Sequence, residues 1–315
     1  MTLVFCATFV WAGMAAADWT PRKPVKMVVM AGKGGGAGKL SRLFQAIIEK
    51  ENLSVQPIIP DYKPGGSGAE ALVYMKGKSG DPHTILMTLN SYYTTPLRQP
   101  KLGIDIAEFT PVARLAVDTF VLWVNSDSKI NNLNDFLSEV RSKGKSWNMG
   151  GTGRGQEDQL LTNILQSTFG LQMTYTPFKG GGTVAKNLAG NHLNSTVNNP
   201  SEAIGWLEGG KVRALAAFTQ KRLDALPNVP TFGELGHKDM EYFMQRSVIG
   251  PPNMPKDAVD YYVKVFEKVH NSPQWIEYTK KKALFRDFLT GDDLQKYFLA
   301  EREKHRDLLK KTGEL

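Results

Sequence analysis

A chain of 315 residues has room for about two domains at ~150 residues each, and 41% hydrophobic and 22% charged residues without a low-complexity tract make its composition globular. The net charge of +8 suits an anionic partner, but no basic cluster is interleaved with aromatics and no zinc-finger or helix-turn-helix spacing occurs, so nucleic acid is not expected. Cys6 is the one cysteine, and His83, His192, His237, His270 and His305 are scattered without an i, i+4 pair, which leaves no disulfide, cysteine nucleophile or zinc site to expect.

In chain order, residues 3–17 are uncharged, mostly apolar and end in Ala15-Ala16-Ala17 before Asp18. The pattern matches a secretory leader, residues 1–17, with an Ala-x-Ala cleavage site; the run is too short for the ~20 residues of a spanning helix. Cleavage would remove Cys6, as befits a periplasmic chain. Val25–Met30 reads as a buried strand, Ala31–Gly38 as a loop with five glycines, and Leu40, Leu43, Phe44, Ile47 and Ile48 as one face of a helix. Strand, glycine turn and helix start form a place for an anion, because glycines admit close approach and the first helical N–H groups point outward.

The same alternation continues. Val55–Ile59 reads as a strand, Tyr62–Gly68 as a turn and Ala69–Lys76 as a helix. Thr84–Leu89 is a third strand, leading into Asn90-Ser91-Tyr92-Tyr93. Val112–Asn125 is long, apolar and broken only by Arg114 and Asp118, and its length carries it from one domain into another. Leu133–Val140 is helical. The strand Trp147–Gly150 precedes a second glycine loop, Gly151-Thr152-Gly153-Arg154-Gly155, and the helix Gln159–Phe169. The strand Met173–Thr176 precedes a third, Phe178-Lys179-Gly180-Gly181-Gly182-Thr183, and a further helix. Leu193–Val197 is a strand ending at Asn198-Asn199-Pro200-Ser201, with Ser201 as N-cap, and Val212–Phe218 is the last strand. Helices then follow, with one stripe at Val259, Val263, Phe266 and Val269 and another at Leu294 and Phe298; Lys280-Lys281-Lys282 is a solvated face. Regular β-α alternation predicts an α/β fold of mainly parallel sheets flanked by helices, with ligands outside the carboxyl ends of the strands.

Two enzyme motifs compete for the first glycine loop. Gly32-Lys33-Gly34-Gly35-Gly36-Ala37 satisfies Gly-x-Gly-x-x-Gly/Ala after a strand, the dinucleotide fingerprint. No acidic residue ends a clear second strand about 20 positions on, so a secreted NAD-dependent oxidoreductase is only the lesser alternative. Gly38-Lys39 is no P-loop, because Leu40 stands where Ser or Thr is needed, and no Gly-x-Ser-x-Gly occurs.

The ordered motifs resemble the substrate-binding proteins of tripartite tricarboxylate transporters, the Bug-type receptors, over nearly the whole chain after residue 17. Trp19–Val25 is similar to the family's opening, and Gly34–Arg42 to its Gly-Gly-x-x-Asp-x-x-x-Arg segment. Lys63–Glu70 resembles its Pro-Gly-Ala-Gly-Gly turn, Gly80–Leu86 its Pro-Asp-Gly-Tyr-Thr-Leu-Leu strand entry, and Pro177–Gly181 its Pro-Tyr-Lys-Gly-Gly loop. Leu223–Gly236, with Leu226-Pro227-Asn228-Val229-Pro230-Thr231, is the most specific match, and Gly250–Pro255 fits the segment after it.

The resemblance implies a two-domain periplasmic-binding-protein fold of the Venus-flytrap, type II-like kind, with residues 18–115 plus 243–315 in domain 1 and 116–242 in domain 2. It implies no catalysis and no cofactor. The receptor would work in the periplasm, as a monomer, capturing a di-, tri- or aromatic carboxylate and delivering it to membrane permease subunits; a ligand sensor with a signalling partner is the other alternative. By position, the ligand would meet Ala31, Gly34 and Gly35, then Gly65, Gly66 and Ser67, then Asn90 and Ser91. Domain 2 would add Gly151, Thr152 and Gly153, Phe178 and Gly180, and Asn198 and Asn199. Tyr92 is placed with them, although it could equally be packed in the core. One departure stands out: Gly38 replaces the family's Asp, and Lys33 and Lys39 flank it. Lysines there would make the pocket electropositive and favour a dicarboxylate or aromatic carboxylate over a ligand bearing an amine.

Overall fold

The computed structural model describes residues 19–315; the expected leader, with Cys6, lies outside the described residues. The first domain is built on a six-stranded sheet. Its strands are β1 (Val25–Val29), β2 (Ile58–Tyr62), β3 (Thr84–Thr88), β4 (Phe109–Thr119), β10 (Phe243–Pro252) and β11 (Phe285–Thr290), in the spatial order β11-β4-β10-β3-β1-β2. The second domain has five strands: β5 (Val121–Asn125), β6 (Asn148–Gly151), β7 (Thr174–Pro177), β8 (Ser195–Asn198) and β9 (Val212–Ala217), in the order β7-β6-β8-β5-β9.

Both sheets are mixed rather than mainly parallel. β1 is parallel to β2 and β3, and β6 to β7 and β8, the pairing that β-α-β crossovers produce. The strands that carry the chain between domains run the other way: β10 is antiparallel to both β3 and β4, and β5 to both β8 and β9. The long apolar run breaks at Phe120. β4 stays in the first sheet to Thr119, which pairs with Phe243 of β10, so the outward and return crossings lie side by side. β2 starts three residues later than its periodicity predicts. It is an edge strand and holds Pro60, which only an edge tolerates.

Helices cover the sheets, among them α2 (Ala69–Lys76) and α3 (Ser91–Arg98) in the first domain and α4 (Leu133–Lys143) in the second. α1 (Gly36–Lys50) follows β1 and buries Leu40, Phe44, Ile47 and Ile48, the predicted face. Phe44 meets Phe266 of α8 (Lys256–Asn271) and Trp275 of α9 (Pro273–Lys282) edge to face, with ring centres 5.9 and 5.2 Å apart. In the second domain, α5 (Glu157–Phe169), α6 (Gly181–Ala189) and α7 (Pro200–Glu208) each begin just after a strand end. α10 (Gly291–Lys311) closes the first domain and brings His305 to the crossings. There the His305 ring takes Tyr242 Oη at 3.0 Å on Nε2, while Nδ1 lies 2.8 Å from the Glu301 carbonyl.

Candidate functional site

The strand ends of the two sheets face each other across a cavity of about 480 Å³, within the range of small-molecule sites. Four helix N-termini converge on it: Gly36 of α1, Glu157 of α5, Gly181 of α6 and the first turn of α7 at Glu202 all line it. The walls are in contact. Gly36 N donates to Glu202 Oε1 at 2.6 Å, Ser91 N to Glu157 Oε1 at 3.0 Å, and Ser67 Oγ to the Arg154 carbonyl at 2.8 Å. Gly32 lies against the backbone of Lys179, and Gly182 against that of Gly34, so closely that a Cβ on either would collide. Glycine is therefore what lets the two domains meet backbone to backbone.

Ala31, Gly35, Gly65, Gly66 and Ser67 from the first domain, and Thr152, Gly153, Phe178, Gly180 and Asn199 from the second, line the cavity together. Other expected residues lie elsewhere. Lys33 is exposed, and its carbonyl accepts from Arg42 Nη1 at 2.8 Å; Gly34 is exposed beside it. Tyr92 is 0% exposed and spends its hydroxyl on the Ile106 carbonyl at 2.9 Å, so it is core. Asn90 serves the crossings: its Nδ2 donates to the Phe243 carbonyl at 2.8 Å, and its Oδ1 accepts from Gln245 N at 3.0 Å. Ser91 acts through its backbone amide, and its Oγ is buried without a partner. Asn198 Nδ2 donates to the Gly181 carbonyl at 2.9 Å and so props up the third glycine loop, while Gly151 is buried against Tyr175 and Asp158.

The cavity also holds charges that sequence reasoning missed. Glu157, Asp158 and Glu202 line it at 5%, 3% and 8% exposure, and Arg246 lines it at 1%. Burial pushes all three carboxyls up, Asp158 well up, where Glu202 and Glu157 add to the effect. Arg246 donates through both Nε and Nη2 to one oxygen, Oδ2, of Asp118, which is 0% exposed. Burial raises the Asp118 carboxyl and the guanidinium opposes that rise. An acid in the first turn of a helix reads as a simple complement to the helix dipole, which hides Glu157, Asp158 and Glu202 in the sequence. Arg246 and Asp118 lie 128 residues apart, and no local pattern joins them.

These groups overturn the expected electropositive pocket. Lys33 is outside the cavity, and Lys39 turns its ammonium to the Ser201 carbonyl at 3.2 Å. Gly38 has a steric reason: a Cβ there would stand 2.5 Å from the Lys33 carbonyl oxygen and 2.7 Å from that of Gly32. The loop winds too tightly for any side chain at that position.

A family model described as "Tripartite tricarboxylate transporter family receptor" matches residues 42–314. The chain belongs to this family. The tripartite tricarboxylate transporter receptors are solute-binding receptors and not enzymes. Among curated relatives, BugT of Bordetella pertussis is 22% identical over 316 residues, covering 98% of this chain and 95% of BugT. Among solved structures, the periplasmic binding protein BugD superposes with a TM-score of 0.88 at 22% identity, covering 93% of this chain and 98% of BugD. An R. palustris protein solved with adipate, Rpa4515, gives 0.87 at 25% identity, with 93% and 98% covered. MatC from Rhodopseudomonas palustris, solved with malate, gives 0.82 at 22% identity, with 92% and 99% covered. Two mixed sheets flanked by helices are thus the two-domain architecture of the periplasmic binding proteins.

Proposed function

We propose that this receptor captures a small organic carboxylate in the periplasm and hands it to the permease of a tripartite tricarboxylate transporter. The observation that carries the reading is the cavity itself: glycine loops and helix N-termini of both domains line one cleft, the arrangement that holds an oxyanion by backbone amides. Solved members of similar fold hold adipate and malate, which supports a carboxylate here. Among the described residues no helix is long and apolar enough to cross a membrane, so delivery would require a separate membrane partner.

In this reading the domains part at Phe120 on the way out and at Tyr242 on the return, with Thr119, Phe218 and Tyr242 tied together at the hinge. Thr119 Oγ1 lies 3.3 Å from both the Phe218 and Tyr242 carbonyls. The ligand contacts would be Ala31, Gly35, Gly65, Gly66 and Ser67 on one side and Thr152, Gly153, Phe178, Gly180 and Asn199 on the other, with Arg246 at the back.

A thermal-shift screen of mono-, di- and tricarboxylates tests the reading. A ligand at 100 times its Kd adds about 2.7 kcal/mol to the folded state, a rise well above noise. If no carboxylate raises the melting temperature, the reading fails.

A further inference from the structure

A second set of contacts joins the two domains outside the cavity, at the end of α10. The helix stops at Lys311, and Gly313 takes a left-handed φ of 71° that a side chain would resist. Glu314 N then donates to the Leu309 carbonyl at 2.8 Å, which turns the chain back onto the helix. This turn brings the Glu314 side chain to the boundary between the domains. Its Oε1 accepts from Asn163 Nδ2 of α5, in the second domain, at 2.7 Å. Its Oε2 lies 3.1 Å from Nε of Arg98, the last residue of α3 in the first domain. The Glu314 side chain is 9% exposed there, so its charge is largely withdrawn from water and depends on these partners.

Arg98 extends the link. Its Nη1 donates to the Arg154 carbonyl at 3.2 Å, and the same carbonyl takes Ser67 Oγ at 2.8 Å. Gly155 lies so close to the guanidinium that a Cβ there would overlap Nη1. Thr95, one turn earlier in α3, donates to the Ser67 carbonyl at 2.7 Å and holds that turn in place. The first domain is thus tied to the second glycine loop through Arg98, and to α5 through Glu314. Beside these contacts, Leu308 of α10, Leu161 and Ile164 of α5 and Tyr242 of the return crossing line a separate cavity of about 350 Å³. Apolar packing does not seal that boundary, so the polar link matters more there.

We propose that Glu314 and Arg98 form a latch that holds the two domains together before any ligand arrives. Every partner in the link belongs to the chain itself. A contact made only when the domains meet favours the closed form, whatever fills the cavity. The consequence for capture rests on the receptor reading. A ligand enters only while the latch is open, so apparent affinity falls with the fraction of receptor that is open.

Small-angle scattering of the ligand-free protein tests the latch. It needs no ligand, so its outcome is separate from that of the carboxylate screen. The wild-type curve should fit the closed form. Glu314→Ala and Arg98→Ala should each raise the radius of gyration while the circular dichroism spectrum stays unchanged. The double variant should open less than the two single effects added, because either change breaks the same link. The amides of Gly36 and Ser91 are bonded across the cleft to Glu202 and Glu157, and their hydrogen exchange should quicken by about tenfold in both single variants; fraying of α10 alone would not reach them. Should Glu314→Ala fail to fold, Asn163→Ala removes the other half of the link and should open the cleft likewise. A wild type that is already open, or variants as compact as the wild type with unchanged exchange, would overturn the latch. If the latch holds and the carboxylate screen is silent, the receptor reading alone falls.

Discussion

The Asp118–Arg246 pair gives the sharpest prediction, because Arg246 lines the cavity and both residues are buried almost completely, at 0% and 1% exposure. Replacing Asp118 with Asn keeps the shape and removes the charge, so that the guanidinium is left without a counter-ion. Breaking one partner of a buried ion pair costs about 3–5 kcal/mol. The lower end applies here, about 3 kcal/mol, because Arg246 lines the cavity and its free face can reach water and the neighbouring carboxylates. At about 2–4 °C per kcal/mol for a domain of 150–250 residues, the melting temperature should drop by roughly 6–12 °C. Replacing both partners, Asp118→Leu with Arg246→Met, removes the desolvation cost along with the attraction and should return stability to within about 1–2 kcal/mol of the original. That double variant should nevertheless lose ligand binding, since the Arg246 guanidinium is gone. Differential scanning calorimetry with and without ligand reads both effects. A melting point for Asp118→Asn within a degree of the wild type, or normal ligand binding by the double variant, would refute the reasoning.

Three further outcomes follow from the same geometry. Burial lowers His305 to about 4 from its ordinary 6.5, so between those values the unfolded chain binds a proton that the folded chain refuses, and stability falls as pH falls through that window by about 3 kcal/mol. Urea melts from pH 7 to pH 4 should show this extra loss in the wild type and not in His305→Gln. Asp158 behaves oppositely: its folded carboxyl is raised well above 3.8, so the folded state weakens as pH rises above that value. Asp158→Asn should melt higher than wild type without ligand, by a margin that grows from pH 4 to pH 8 in thermal melts. Gly38→Asp should destabilise by about 1–3 kcal/mol, because its Cβ would press on the Lys33 carbonyl; an unchanged melting point would show that the loop yields freely.

Much of the site was legible because glycine loops after strands carry their physics locally. Gly32–Gly38, Gly65–Gly68 and Lys179–Gly182 were each found from strand, turn and helix signals, and the structure brings all three to one cavity. Where the prediction slipped, nonlocal partners decided. Tyr92 lay beside a strand end and could have faced either way; the Ile106 carbonyl and the ring of Phe298 pull it inward. Asn90 and Asn198 have the right chemistry for a ligand, but their amides support the crossings and a neighbouring loop. β10 and β11 lie in a region whose periodicity favours helices, and they are strands because β4 offers both its edges. The acidic wall was missed for a different reason. A carboxylate in the first turn of a helix is ordinary at a surface, and only the docking of a second domain turns it into a buried charge.

The central claim is that a small carboxylate lies unchanged between the two domains, against Arg246 and the glycine loops. The most direct measurement is a crystal structure grown with the tightest acid from the thermal screen. The account predicts intact ligand density in the cavity, with a carboxylate within hydrogen-bond reach of Arg246 Nη1. Density for the acid outside the cavity, or for a product in place of the acid supplied, would contradict it.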